Sequence, residues 1–412
     1  MTIGSRAGLH AVQISFFSDP QGRSPAQLLD ALPTLVDVAE APCRSGIRVS
    51  VVCASAHSQC LTRGGVRYHF LPFGRGQRSI LKNAALGALL RDLGPDVLHV
   101  HGLGFPRDVL SLASLASGVP IILQDHANRP PRLWRRASWR REMSLAAGIA
   151  FCASDQARPF AAAGLLDSAT CLYEIPESTS RFSPGDKQQA RRVTGVDGDP
   201  AILWVGHLDA NKDPLTVLKG ISAAARELPR LRLFCCFGTA PLLGDVLDLI
   251  ATDPQLEGRV RLLGRVPHEH IEQLMRAADL FVLGSHREGS GYSLIEALAC
   301  GLSPVVTDIP SFRSLTGAGA VGKLWACDDP LALCAAIRTV EARTEPGTRA
   351  AVRAHFDREL SFDSLGRKLA AMYEDVLERR RNGAASTAPR PVSVSHEELT
   401  RKSEPFRRTI GS

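Results

Sequence analysis

No two of the ten cysteines in the 412-residue chain form a C-x-x-C pair, so zinc ribbons and thioredoxin-like chemistry are not indicated. The cysteines are scattered, mostly within apolar segments, as expected of a reduced thiol set. No apolar run approaches the length of about 20 residues that a membrane-spanning helix needs. The opening "MTIGSRAGLHAVQISFF" enters a strand pattern directly, without signal-peptide architecture. The expectation is a cytoplasmic protein, at most peripheral at the inner membrane face. Both common nucleotide fingerprints are missing from the glycine-rich stretch near residue 290. Gly289-Ser290-Gly291 has no third glycine at Leu294, and no Gly-Lys-Ser/Thr follows. No Asp-x-Asp metal motif lies near that stretch either.

What is present suits a soluble globular chain of more than one domain: 44% hydrophobic and 22% charged residues over 412 positions. The net charge of +7 is local. Residues 379–412 hold eight Arg/Lys against three Glu, and "RPPRLWRRASWRR" (129–141) has six arginines and no acid. The remainder is net negative, so the folded body is no general polyanion binder.

Apolar segments recur at 11–17, 47–54, 67–73, 96–102, 120–126 and 148–154, then at 201–207, 231–238, 259–265, 279–285 and 303–308. Amphipathic stretches such as 80–93 and 105–117 separate them. This alternation predicts parallel sheets covered on both faces. It halts at "EIPESTSRFSPGDKQQARR" (174–192) and restarts, so two doubly wound α/β domains joined near residue 185 are expected. Ligands in such sheets gather at the carboxyl ends of strands. Beyond Arg379 the apolar periodicity fades, and residues 381–412 are expected to be a disordered tail.

"REGSGYSLIEALACG" (287–301) sets Glu288 and Glu296 on either side of a glycine-rich bend. One reading is a strand-to-helix turn, with Gly301 closing the helix. The other is an anion site, because first-turn N–H groups attract phosphate and glycine permits its approach.

Several further segments carry a resemblance in matching order: "IPESTSRFSP", "WVGHLDANKDPLTVLKG", "LLGRVPHEHIEQLMRAADLFVLGS", the Glu288-x7-Glu296 motif and "SPVVTDIP". Together they resemble the retaining family 4 glycosyltransferases (glycosyl transferases group 1). The resemblance implies the GT-B fold, two Rossmann-like domains facing across a cleft. Residues 1–180 would form the acceptor-side domain and 181–360 the nucleotide-sugar domain. Residues 361–380 would form a terminal helix crossing back, ahead of the tail.

The resemblance also implies roles for single residues. Glu288 would face the donor sugar and Glu296 the ribose. The stretch Gly289, Gly291, Tyr292, Ser293 and Leu294 would cradle phosphate, with Lys212 neutralising the diphosphate. Arg265 and Val266 would lie on the nucleotide side. His126 would stand near the sugar and the acceptor hydroxyl. The family's Val-Gly-Arg is Val205-Gly206-His207 here, so His207 stands in for an arginine. The first loop, "SDPQGRSP", lacks the family's glycine pair.

The implied activity is a metal-independent, retaining hexosyl transfer without a cofactor, from a nucleotide diphosphate sugar to an acceptor hydroxyl. The acceptor would be a glycan, a lipid-linked molecule or a small molecule. A nucleotide-sugar epimerase and a non-catalytic nucleotide-sugar binder are the rival readings. His99 and His101 alternate on one strand, either as structural histidines or with one facing the site. The 129–141 stretch, with Trp134 and Trp139, reads as a solvated basic surface or as a contact for an anionic acceptor or membrane; nucleic acid is not expected.

Overall fold

A computed structural model describes residues 8–72, 84–342 and 347–382. The chain divides into two compact units, Met1–Ser178 with Phe362–Ser412, and Thr179–Ser361. Residues 381 and 382, expected to open the tail, close the helix Phe362–Asn382 instead; the rest of the expected tail lies outside the described residues, as does the start of the 80–93 stretch, which is helical over Ala84–Leu93.

The first unit is built on eight strands: β1 (His10–Ser15), β2 (Arg48–Ser55), β3 (Gln59–Arg63), β4 (Val66–Pro72), β5 (Val97–His101), β6 (Ile121–Gln124), β7 (Ala146–Phe151) and β8 (Leu172–Glu174). Their order is β3-β4-β2-β1-β5-β6-β7-β8. All neighbours are parallel except β3 and β4. That hairpin turns through Gly64 and Gly65, both at positive φ, the backbone a two-residue hairpin turn favours.

Strand β1 shows how the sheet sorts its side chains. Val12 and Ile14 enter one apolar cluster and Ala11 the other, as the period of two requires. Gln13 shares the Ala11 face. Helices Pro33–Arg44 and Phe362–Asn382 cover that face, the latter through Leu365, Leu369, Met372, Tyr373 and Val376.

The second unit has six strands: β9 (Ala201–Val205), β10 (Arg232–Cys236), β11 (Val260–Gly264), β12 (Leu280–Leu283), β13 (Ser303–Thr307) and β14 (Lys323–Trp325). They run parallel in the order β11-β10-β9-β12-β13-β14. The chain direction across the sheet reverses between β9 and β12. That is the switch point, where doubly wound sheets open a crevice.

The apolar periodicity did not reveal β3, β8 or β14. Strand β3 is mostly exposed and polar, and β8 and β14 are three residues each. All three lie at sheet edges. All ten cysteines are free thiols.

Candidate functional site

The carboxyl ends of β9 and β12 carry the two loops chosen from sequence. After β9 the chain turns at Asp209, which accepts from Lys212 N at 2.9 Å through its side chain. Asp213, at φ 50°, caps the next helix by accepting from Thr216 N, with Pro214 entering its first turn. After β12, His286 N donates to Asn211 O at 2.8 Å and Asn211 Nδ2 donates to Arg287 O at 3.0 Å. The loops are thus stitched together. Gly284 permits the close approach: a Cβ there would stand 3.0 Å from Lys212 O and 3.1 Å from Asp213 O.

Joined in this way, the loops bring Lys212 and Glu288 into an ion pair, with both side chains largely buried. A cavity of about 530 Å³ opens beside the pair, within the range of small-ligand sites. His207, Lys212, Arg265, Val266, Glu288, Tyr292, Ser293 and Glu296 all line it. Gly289, Gly291 and Leu294 do not.

The cavity floor includes the start of helix Tyr292–Ala299. Its N-cap is Gly291 at φ 86°, and no side chain caps it. A Cβ on Gly291 would meet Phe312 at 2.5 Å. Five apolar residues of the helix are fully buried, and Gly301 at φ 71° ends it, with Leu302 N donating to Ala297 O at 2.9 Å. The expected phosphate role of Leu294 is not supported, because its N–H donates to Gly291 O at 3.0 Å within the tight first turn. Tyr292 and Ser293 are the first-turn residues at the cavity.

Glu296 is 2% exposed and contacts His268 Nε2. Burial raises its pKa, and the His268 hydrogen bond opposes the rise. The His268 ring lies 6.1 Å from Tyr292 in a stacked arrangement and 4.8 Å from Phe182. Sequence reasoning passed over His268, although it stands three residues after Arg265 in a quoted segment. It also passed over Phe237 and Gly238, which reach the cavity from the end of β10.

His207 lines the cavity as a hydrogen-bond acceptor. Thr239 N donates to its Nδ1 at 3.1 Å, so the ring proton belongs on Nε2. An imidazolium would have to give up that bond. The cation beside it is Arg265: a Cβ on Gly238 would be 3.2 Å from the His207 ring and 3.8 Å from the Arg265 guanidinium.

Among the described residues, Asp213, His286 and Asp328 have potential ligand atoms within 4.8 Å of one another. Asp213 is already the helix cap and Asp328 is 77% exposed. This cluster therefore reads as surface polar contacts.

His126 belongs to the first unit, just past β6. Its Nδ1 meets Glu177 Oε2 at 2.9 Å and its Nε2 meets His101 Nδ1 at 3.1 Å. Glu177 was not singled out from sequence. It stands in "IPESTS" where the resembled family segment has asparagine. Ala127, next in the chain, sits at φ 57°, held by Asp125 and Asn128. His99 and His101 are both buried on the Gln13 face of the sheet. The loop after β1 folds on itself, with Asp19 accepting from Gln21 N and Arg23 N.

In the 129–141 stretch the two tryptophans part company. Trp139 is 5% exposed and packs with Met143 into the first unit's core from helix Arg136–Met143, where i and i+4 share a face. Leu133 and Trp134 are 75% and 76% exposed. The expected joint surface of Trp134 and Trp139 is therefore absent.

Residues 186–354 match the family profile Glycosyl transferases group 1 and residues 34–159 match Glycosyltransferase Family 4, together most of the chain. Among curated proteins, the chain is 32% identical over 223 residues to a D-inositol 3-phosphate glycosyltransferase of Geodermatophilus obscurus, covering 52% of this chain and 49% of that protein. It is 26% identical over 261 residues to a GDP-mannose:cellobiosyl-diphosphopolyprenol alpha-mannosyltransferase of Xanthomonas campestris, covering 61% and 63%. The chain thus spans about half of the first relative's length and less than two thirds of the second's. Among solved structures, a sucrose-phosphate synthase from Thermosynechococcus elongatus aligns with TM-score 0.66 at 17% identity, over 90% of this chain and 99% of that one. Anabaena HepE in complex with UDP aligns with TM-score 0.65 at 17% identity, over 89% and 100%. At such identities the likeness is one of fold.

Proposed function

The chain belongs to the family 4, group 1 glycosyltransferases, and on that premise we propose that it moves a sugar from a nucleotide diphosphate sugar to an acceptor hydroxyl with retention of configuration. The observation that carries the reading is the cavity at the β9/β12 switch point. It combines a helix N-terminus, two cations and two carboxylates in different surroundings. Lys212, Arg265 and the amides of Tyr292 and Ser293 take the diphosphate. Glu296 accepts from ribose hydroxyls and Glu288 from the sugar, since a carboxylate can accept from vicinal hydroxyls.

In the reaction, the bond from C1 to the diphosphate oxygen breaks and its electron pair leaves with the phosphate. The cations and amides stabilise that charge. The acceptor oxygen bonds to C1 from the same face and its proton passes to the departing phosphate. The positive field comes from protein groups, so turnover requires no divalent metal and survives chelation.

The acceptor in this reading carries phosphate. The names of both curated relatives given above include phosphate-bearing molecules, and the 129–141 arginines supply the complementary charge. The same stretch is assigned to an anionic membrane surface. Arg135 and Arg136 stand at the N-terminus of their helix, where the dipole disfavours cations and the first turn holds no acid. Their placement weakens the helix, so a partner is the better account. The exposed Leu133 and Trp134 beside them fit an interfacial contact. No helix among the described residues is long and apolar enough to cross a membrane.

Calorimetry with UDP, GDP and ADP tests the donor site. One of them should bind, and Lys212→Ala should weaken it at least tenfold, about 1.4 kcal/mol. Binding that ignores Lys212 would move the site elsewhere.

A further inference from the structure

The first unit buries a chain of polar side chains whose proton positions follow from geometry, beginning at a proline. Pro42 lies inside helix Pro33–Arg44 and offers no N–H to the carbonyl of Val38, four residues earlier. Gln13 supplies a donor: its Nε2 donates to Val38 O at 3.2 Å and reaches the Tyr373 hydroxyl at 3.4 Å. The amide orientation is thereby set, and Oε1 faces His101 Nε2 at 3.1 Å. An acceptor there calls for a proton on His101 Nε2. His101 is buried, and burial first, then His99 and His126, hold its pKa well below the usual imidazole range. The ring is neutral, so its Nδ1 carries a lone pair. That lone pair faces His126 Nε2 at 3.1 Å, which must donate. On the far side of the His126 ring, Nδ1 faces the Glu177 carboxylate at 2.9 Å.

We propose that Glu177 and His101 together hold His126 as an imidazolium, each accepting one of its two ring protons, with Glu177 as the positioning residue of the pair. The charged and titratable groups around the ring are few. Glu177 faces it from the segment after β8, and His101 from β5. Asp125 adjoins it at the end of β6, its carboxyl pushed up to about 7 by burial and by Glu177. Behind His101 lies His99, which accepts from the Tyr373 hydroxyl at Nδ1 (2.8 Å) and is lowered to about 3 by burial.

The consequence rests on the transferase reading above. A ring that already carries both protons cannot take the acceptor's proton. His126 then offers a fixed charge and orientation, and the proton leaves with the diphosphate.

The test is ¹⁵N–¹H NMR of the full chain labelled at histidine, with His126 assigned from the spectrum of His126→Gln. At about pH 7.5 an ordinary histidine, with a pKa of about 6.5, is about one-tenth protonated. The expected spectrum shows both His126 nitrogens protonated. In Glu177→Gln a single proton should remain, on Nε2, because His101 still requires a donor while the compensating charge is gone. One protonated nitrogen on wild-type His126 overturns the proposal, and so does a ring unchanged by Glu177→Gln. If that variant does not fold, the wild-type spectrum alone decides. The spectrum needs no turnover, so its failure is distinguishable from failure of the transferase reading, which nucleotide titration tests separately.

Discussion

Glu288 and Glu296 share one short segment yet stand in different surroundings. Glu288 is paired with Lys212 at the cavity wall, and Glu296 is buried beneath His268. On the proposed reaction their losses should differ. Glu288→Gln should lower kcat by about 100-fold or more, because an interaction with the reacting sugar is removed. Glu296→Gln should mainly raise donor KM. Steady-state kinetics on both variants check this, and wild-type behaviour in both would remove the assignment. The carboxylates were legible from spacing on either side of a glycine-rich bend. His268 and Glu177 were not, because each acquires its role from a partner distant in sequence. The state of His207 was equally hidden, since its Nδ1 bond comes from Thr239 on another loop. Glu142 shows a different residue-scale effect. It is fully buried, and desolvation pushes its carboxyl up from 4.5 to about 8. A raised folded-state pKa means stability is intact below about 4.5 and declines as pH rises toward about 8. Glu142→Gln should remove that decline. Its urea-unfolding free energy relative to wild type should grow by a few kcal/mol between about pH 5 and pH 8.5. A constant difference would contradict the burial effect.

Among the elements, central strands were readable and edge strands were not. A strand buried on both faces has to be apolar, as β9 and β12 are, and so announces itself. Strand β3 packs little and shows only the Gly64-Gly65 turn signal, which the apolar count overlooks. The 129–141 stretch failed for a related reason. Composition gives its charge and aromatics, but the helical register decides which tryptophan is buried. Only Leu133 and Trp134 remain to meet a membrane. The chain should therefore sediment with phosphatidylglycerol vesicles at low salt and not with phosphatidylcholine vesicles. Replacing Leu133 and Trp134 together by serine should cut that binding at least tenfold, with cavity nucleotide binding unchanged. Absence of vesicle binding, or its survival in the double variant, would remove the membrane role and leave the arginines to an anionic acceptor.

For the whole molecule, the α/β class and doubly wound organisation followed from alternating segments and the break at 174–192. For residues 361–380 only the family resemblance implied a helix crossing back; apolar periodicity gives no such signal, because the partner of helix Phe362–Asn382, helix Pro33–Arg44, lies more than three hundred residues earlier. On the proposed reading, this fold presents a nucleotide-sugar transferase site at the β9/β12 switch point. The most direct measurement is incubation with a panel of UDP-, GDP- and ADP-sugars in EDTA, followed by ¹H NMR, for wild type and Glu288→Gln. Wild type should release the nucleotide diphosphate from one donor and give a sugar product with the donor's anomeric configuration, and Glu288→Gln should largely lose this release. Donors that remain intact with folded wild-type protein, or one that is only isomerised, would contradict it.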